Sequence, residues 1–124
     1  MILLLASTIF VGCVAESAWQ RLSASEFKEA IDNEEGHFLL DVRTLPEWEQ
    51  EGYIEGATLI PSSEIESRAD ELPADKNTTI LLYCKGGNRS SDVSIILKDM
   101  GYTDIRDLKT GIKGWKDAGY DVQY

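Results

Sequence analysis

Apolar residues fall along this chain in short runs, separated by polar breaks marked with glycine or proline. Ser23-Ala24-Ser25-Glu26 has the spacing of a capping box, a hydroxyl followed three residues later by a carboxylate. It opens a helix whose Phe27, Ala30 and Ile31 share one face. Asn33–Gly36 ends that helix. His37–Val42 has the length of a strand, and Pro46 bars its continuation. Glu47–Glu51 predicts one or two helical turns closed by Gly52, and Gly56–Pro61 a second short buried strand. Ser62 or Ser63 can cap a helix running to about Leu72, with Pro73–Asn77 as the turn after it. Thr78–Tyr83 is a third strand. Ser90–Met100 is a helix stopped by Gly101, where a left-handed cap is wanted. Ile105–Leu108 and Gly111–Ala118 complete the pattern as a strand and a helix, the latter ending at Gly119.

Strands rich in Val, Ile and Leu alternating with helices through short connections predict an α/β domain. Its central sheet is mainly parallel and flanked by helices on both faces. A chain of 124 residues holds one such domain, not two. The expected division is a signal-like segment at 1–13, a linker at 14–18 and the domain at 19–124.

Charge narrows the partners. A formal net charge of −10 argues against nucleic acid and anionic membrane surfaces. It also means that any site for an anion must be locally basic. Before Glu16 no side chain is charged, and Ile2–Val14 is apolar apart from Ser7 and Thr8. That stretch is too short to span a bilayer and has the character of a secretory signal core. Phe10-Val11-Gly12-Cys13 resembles a prokaryotic lipoprotein processing site, which implies lipidation at Cys13. The expectation is export to the periplasm or cell envelope, with a lipid anchor at Cys13. Cys13 and Cys84 are the two cysteines. They can pair in an exported protein, but a lipidated Cys13 leaves Cys84 a lone thiol. His37 is the single histidine, and no Cys/His cluster has metal-ligand spacing, so neither a metal nor a cofactor is expected.

The candidate chemistry lies at residues 84–90, Cys-Lys-Gly-Gly-Asn-Arg-Ser, between the strand at Thr78–Tyr83 and the following helix. In open parallel sheets, ligands bind beyond the carboxyl ends of strands, which is where this segment falls. The reactive form of cysteine is the thiolate, and a helix start with orphan N–H groups favours negative charge. Gly86 and Gly87 allow the backbone to curl into a bowl of N–H groups around the sulfur, and they keep side chains out of its approach. Lys85, Asn88, Arg89 and Ser90 complete the candidate anion-binding set, with Arg89 and Ser90 expected to aim at the same point as the sulfur.

These residues resemble the active-site loop of rhodanese-like sulfurtransferases, a cysteine followed by an arginine five positions later. Further segments match in the family's order. They are Leu39-Leu40-Asp41-Val42-Arg43, Pro46-Glu47-Trp48-Glu49, Gly52-Tyr53-Ile54-Glu55-Gly56-Ala57 continuing to Ile60-Pro61, and Gly111-Ile112-Lys113-Gly114-Trp115 with Gly119-Tyr120. Tyr53 stands where the family often has histidine, and Thr110 where a paired glycine is common. Asp41 and Arg43 read as support for the loop. The resemblance implies that the Cys84 thiolate takes the outer sulfur of a small anionic donor such as thiosulfate, holds it as a persulfide, and passes it to a thiol or cyanide-like acceptor. In that scheme Lys85 and Arg89 neutralise the incoming anion. Two other readings stay open. One is a non-catalytic sulfur carrier or partner-binding module. The other is a cysteine-dependent phosphatase or arsenate reductase, disfavoured because such enzymes have five residues between cysteine and arginine and this chain has four.

Overall fold

A computed structural model of the protein describes residues 17–124. The signal-like segment, the lipidation of Cys13 and the first part of the linker lie outside the described residues. The sheet has five strands: β1 (Trp19–Leu22), β2 (Phe38–Asp41), β3 (Thr58–Leu59), β4 (Ile80–Tyr83) and β5 (Ile105–Leu108). Their order is β1-β5-β4-β2-β3, and every pairing is parallel. Four helices accompany them: α1 (Ala24–Asn33), α2 (Leu45–Glu51), α3 (Asn88–Asp99) and α4 (Gly111–Asp117).

Strand alternation divides the apolar residues between two faces. Ile80 and Leu82 of β4, with Cys84 just after it, belong to the cluster with Val93 and Leu97 of α3. Leu81 and Tyr83 belong to the opposite cluster, with Phe27 of α1 and Ile112 and Trp115 of α4. All four residues of β4 are buried, because helices cover both faces of a parallel sheet. From β2 the chain goes outward to β3 and then returns to β4 on β2's other side. The carboxyl ends of β2 and β4 therefore flank the point where the winding reverses, the usual position for a ligand in such sheets.

The α/β architecture expected from the sequence is the one observed. The capping box at Ser23 has both of its arms: the Ser23 hydroxyl accepts from the Glu26 N–H, and the Glu26 carboxylate accepts from the Ser23 N–H. Two local expectations need correction, and one strand comes without a signal in the sequence. The helix expected from Ser62 to Leu72 is instead two short 3-10 turns, Ser62–Glu64 and Ala69–Glu71. Only Ile65 and Leu72 are buried there, too narrow a stripe to hold a continuous helix against the core. Arg68, bonded to Glu64 and Glu71, holds the junction. The helix expected from Ser90 starts at Asn88, because Gly87 takes a left-handed conformation (φ 105°) that turns the chain directly into it. Finally, Trp19–Leu22 is an edge strand paired with β5, although its four residues carry too little pattern to be recognised alone.

Candidate active site

Cys84 follows β4 directly, and the next turn brings the chain around its sulfur. Gly87 is needed here twice over: its φ of 105° suits glycine alone, and a Cβ would collide with the Lys109 carbonyl. The loop is also clamped from the side of α4. The Ile112 N–H donates to the Cys84 carbonyl at 2.9 Å, and the Lys113 N–H donates to the Lys85 carbonyl at 3.1 Å.

The Cys84 thiol is free and buried. Its Sγ accepts the N–H of Gly87 at 3.1 Å and that of Ser90 at 3.4 Å, and its S–H lies 3.5 Å from the Ser90 hydroxyl oxygen. Backbone N–H groups of this kind are donors that a negatively charged group can accept. In the same turn, the N–H groups of Lys85, Gly86, Asn88 and Arg89 donate to no backbone carbonyl or side chain among the described residues. Gly86 is exposed, and a Cβ there would meet nothing within 4 Å, so space is open directly over the loop. Asn88 is exposed at the start of α3.

A buried polar network that the sequence did not signal supports this turn. The Ser90 hydroxyl donates to Asp107 of β5, a fully buried carboxylate. Burial raises the Asp107 pKa, opposed by its bonds to Ser90 and Arg21. Arg21 of β1 donates through Nε to Asp107 at 2.8 Å and through Nη2 to the Gly87 carbonyl at 2.6 Å. The unexpected edge strand therefore holds the turn that carries Cys84 in place.

The loop cations are placed differently from expectation. Arg89, whose charge still acts on Cys84, is engaged by an acidic partner. Its guanidinium makes a two-pronged pair with Glu47 of α2, at 2.7 and 2.8 Å. Lys85 lies 3.5 Å from Glu51 on the same helix. The physical reason is α2 itself, which sets its acidic residues beside the loop. Thr44 caps α2 and shares a capping box with Glu47, so that carboxylate is fixed before it meets Arg89. The Thr44-x-x-Glu47 spacing is visible in the sequence, but its pairing with Arg89 is not.

Arg89's hydrogen bonds draw the Glu47 pKa down to about 2, against some desolvation. A carboxylate whose folded pKa is depressed stabilises the fold fully above its unfolded value near 4.5. That contribution is lost as the pH falls from there towards 2. Glu47→Gln keeps the capping geometry and removes the charge. It is expected to cost about 1–2 kcal/mol at pH 7, allowing for solvent screening at the partly exposed Arg89. Urea midpoints should show that difference shrinking by pH 3; a gap independent of pH would mean that the charge is not what matters.

Asp41 and Arg43 are both wholly buried at the carboxyl end of β2. Arg43 Nε and Nη2 donate to the Asp41 carboxylate, the shortest contact being 2.7 Å, and Nη2 also donates to the Gly52 carbonyl at 2.7 Å. Burial works against the Arg43 charge, but Asp41 outweighs it and the pKa is raised. Nearby, Trp48 and Tyr53 stack with ring centroids 3.8 Å apart. Tyr53 is thus used as an aromatic face rather than as a replacement for an imidazole.

A parallel α/β domain that carries, at the sheet's reversal point, a cysteine whose sulfur accepts two backbone N–H groups defines a class. The chain belongs to the rhodanese-like domain family, whose pattern matches residues 23–118. It is 32% identical over 99 residues to the putative sulfur carrier protein YrkF of Bacillus subtilis, covering 80% of this chain and 52% of that one. To the thiosulfate sulfurtransferase PspE of Escherichia coli it is 39% identical over 66 residues, covering 53% of this chain and 62% of that one. The chain thus spans about half the length of YrkF. Among solved structures, a rhodanese-related protein from Thermoplasma volcanium superposes with a TM-score of 0.73 at 30% identity, covering 83% of this chain and 96% of that one.

Proposed function

We propose that this protein is a sulfurtransferase that carries sulfane sulfur on Cys84. The observation that carries the reading is the environment of its Sγ, which accepts two backbone N–H groups within a turn that leaves further N–H groups unpartnered. The Cys84 thiolate attacks the outer sulfur of a donor such as thiosulfate. A bond forms between the two sulfurs, the donor's S–S bond breaks, and sulfite leaves with the electron pair. The unpartnered N–H groups of Lys85, Gly86, Asn88 and Arg89 stabilise the anionic donor and then the persulfide. No separate proton-transfer base is needed, since the reacting group arrives and departs as an anion. A thiolate, its proton already lost to solvent, or cyanide then attacks the outer persulfide sulfur, leaves as a persulfide or thiocyanate and restores the Cys84 thiolate, which predicts ping-pong kinetics. The loop length and the similarity to PspE support sulfur rather than phosphate as the transferred group. The lipoprotein-like signature at Phe10–Cys13 supports placing this chemistry in the cell envelope.

Mass spectrometry of the full chain after incubation with thiosulfate tests the proposal. The peptide containing Cys84 should gain one sulfur, and added cyanide should remove it catalytically. Uptake without turnover would instead establish the carrier reading, which the similarity to YrkF favours. Hydrolysis of an aryl phosphate with no sulfur uptake would overturn both.

A further inference from the structure

The two flanks of the catalytic turn carry opposite charge. On one side α2 presents Glu47 to Arg89 as a two-pronged pair and Glu51 to Lys85 as a looser contact at 3.5 Å. On the other side, residues 109–117 contain Lys109, Lys113 and Lys116 against a single acid, Asp117. Between the turn and α4 runs a groove of about 350 Å³ lined by Gly86, Lys109, Thr110, Lys113, Gly114 and Asp117. Lys109 is exposed and forms no ion pair among the described residues. Lys113 lies 3.3 Å from Asp117, but both side chains are at least 70% exposed, so solvent screens that contact and Lys113 can take another anion. A basic groove is out of character in a chain of net charge −10.

Its position gives it a use. Gly86 belongs both to the groove and to the turn around the sulfur, and its Cα is at most about 7.6 Å from that of Cys84. The bonds from α4 to the Cys84 and Lys85 carbonyls hold the groove at a set distance from the sulfur. A small inorganic donor fits the turn itself and has no reach into the groove. A molecule anchored there must carry its anionic group several ångströms from its reacting atom, and it must approach away from the carboxylates of α2.

We propose that this groove is the acceptor subsite, and that Lys109 and Lys113 hold the carboxylate of an organic thiol while its sulfur reaches the Cys84 persulfide. This rests on the sulfurtransferase reading. The acceptor thiol gives its proton to solvent, and its thiolate attacks the outer sulfur. The new S–S bond forms as the bond to Cys84 Sγ breaks, and the electron pair returns to Cys84 as thiolate. The acceptor leaves as a persulfide, and no external oxidant or reductant takes part.

The test uses the full chain and the double variant Lys109→Gln/Lys113→Gln, both loaded with thiosulfate. Mercaptosuccinate, 2-mercaptoethanol and cyanide serve as acceptors. Comparing variant with wild type for each acceptor cancels its intrinsic nucleophilicity. Loss of two screened ion pairs should raise the KM for mercaptosuccinate about tenfold. The KM for 2-mercaptoethanol and for cyanide, and the rate of persulfide formation, should change less than about twofold, within the scatter of uncharged contacts. An equal rise for both thiols, or none for mercaptosuccinate, overturns the subsite while leaving the sulfurtransferase reading intact. Wild-type protein that takes up no sulfur overturns both.

Discussion

Replacing Cys84 with serine is expected to leave the fold intact and to abolish sulfur uptake. A serine oxygen can receive the Gly87 and Ser90 N–H groups that now point at Sγ, so the buried hydroxyl is satisfied. Its smaller volume leaves only a slight gap, and the stability loss should stay within about 1 kcal/mol. Chemically the exchange is not conservative. A hydroxyl is almost wholly protonated at neutral pH and forms no persulfide, whereas a thiolate attacks sulfur readily. Thermal unfolding should therefore be close to that of the wild type, while mass spectrometry shows no added sulfur and turnover with cyanide falls to background. Persistent turnover in Cys84→Ser would place the chemistry elsewhere.

Asp41→Asn is expected to produce the largest loss of stability, about 3–5 kcal/mol. Both members of the Asp41–Arg43 pair are fully buried, and the carboxylate meets the Arg43 backbone N–H as well as its guanidinium. Taking both charges out of water is costly, so the intact pair contributes little net stability. Breaking it is a different matter, because the Arg43 charge stays buried and an amide N–H₂ is turned towards it. Two acceptors remain near Arg43, the Gly52 carbonyl at 2.7 Å and Glu51 at 3.9 Å, and neither replaces a full carboxylate. A drop in the urea midpoint with an unchanged slope would show the loss directly. A cost below about 1 kcal/mol would mean that Glu51 moves in to take up the charge, since a partly exposed pair is worth no more than that.

These two residues also mark different degrees of legibility. Cys84 stands out in the sequence because everything that defines it is local: an apolar strand, a Gly-Gly turn and a helix within a few residues. Asp41 and Arg43 are two residues apart, and their pairing follows from that spacing at a strand end, although their complete burial does not. Arg89 was recognisable as a loop cation, but its partner Glu47 is 42 positions away. Arg21 and Asp107 are 86 positions apart, and nothing in either segment suggests that they share the task of holding Gly87 and Ser90. The helix expected after Ser62 failed for a related reason. Capping and turn residues were present, but the burial that sustains a helix was not.

The sequence alone determined the α/β alternation, the capping box at Ser23, the breaks at glycine and proline, and the placing of one cysteine at a strand-to-helix turn. Each of these depends on contacts or dihedral preferances within a few residues. The tertiary structure decided which charges face each other. It set acidic α2 on one side of the turn, where it pairs with Arg89 and approaches Lys85, and the lysines at 109, 113 and 116 on the other. Those pairings arise only when parallel strands from distant parts of the chain end at one edge of the sheet, and no local pattern encodes them.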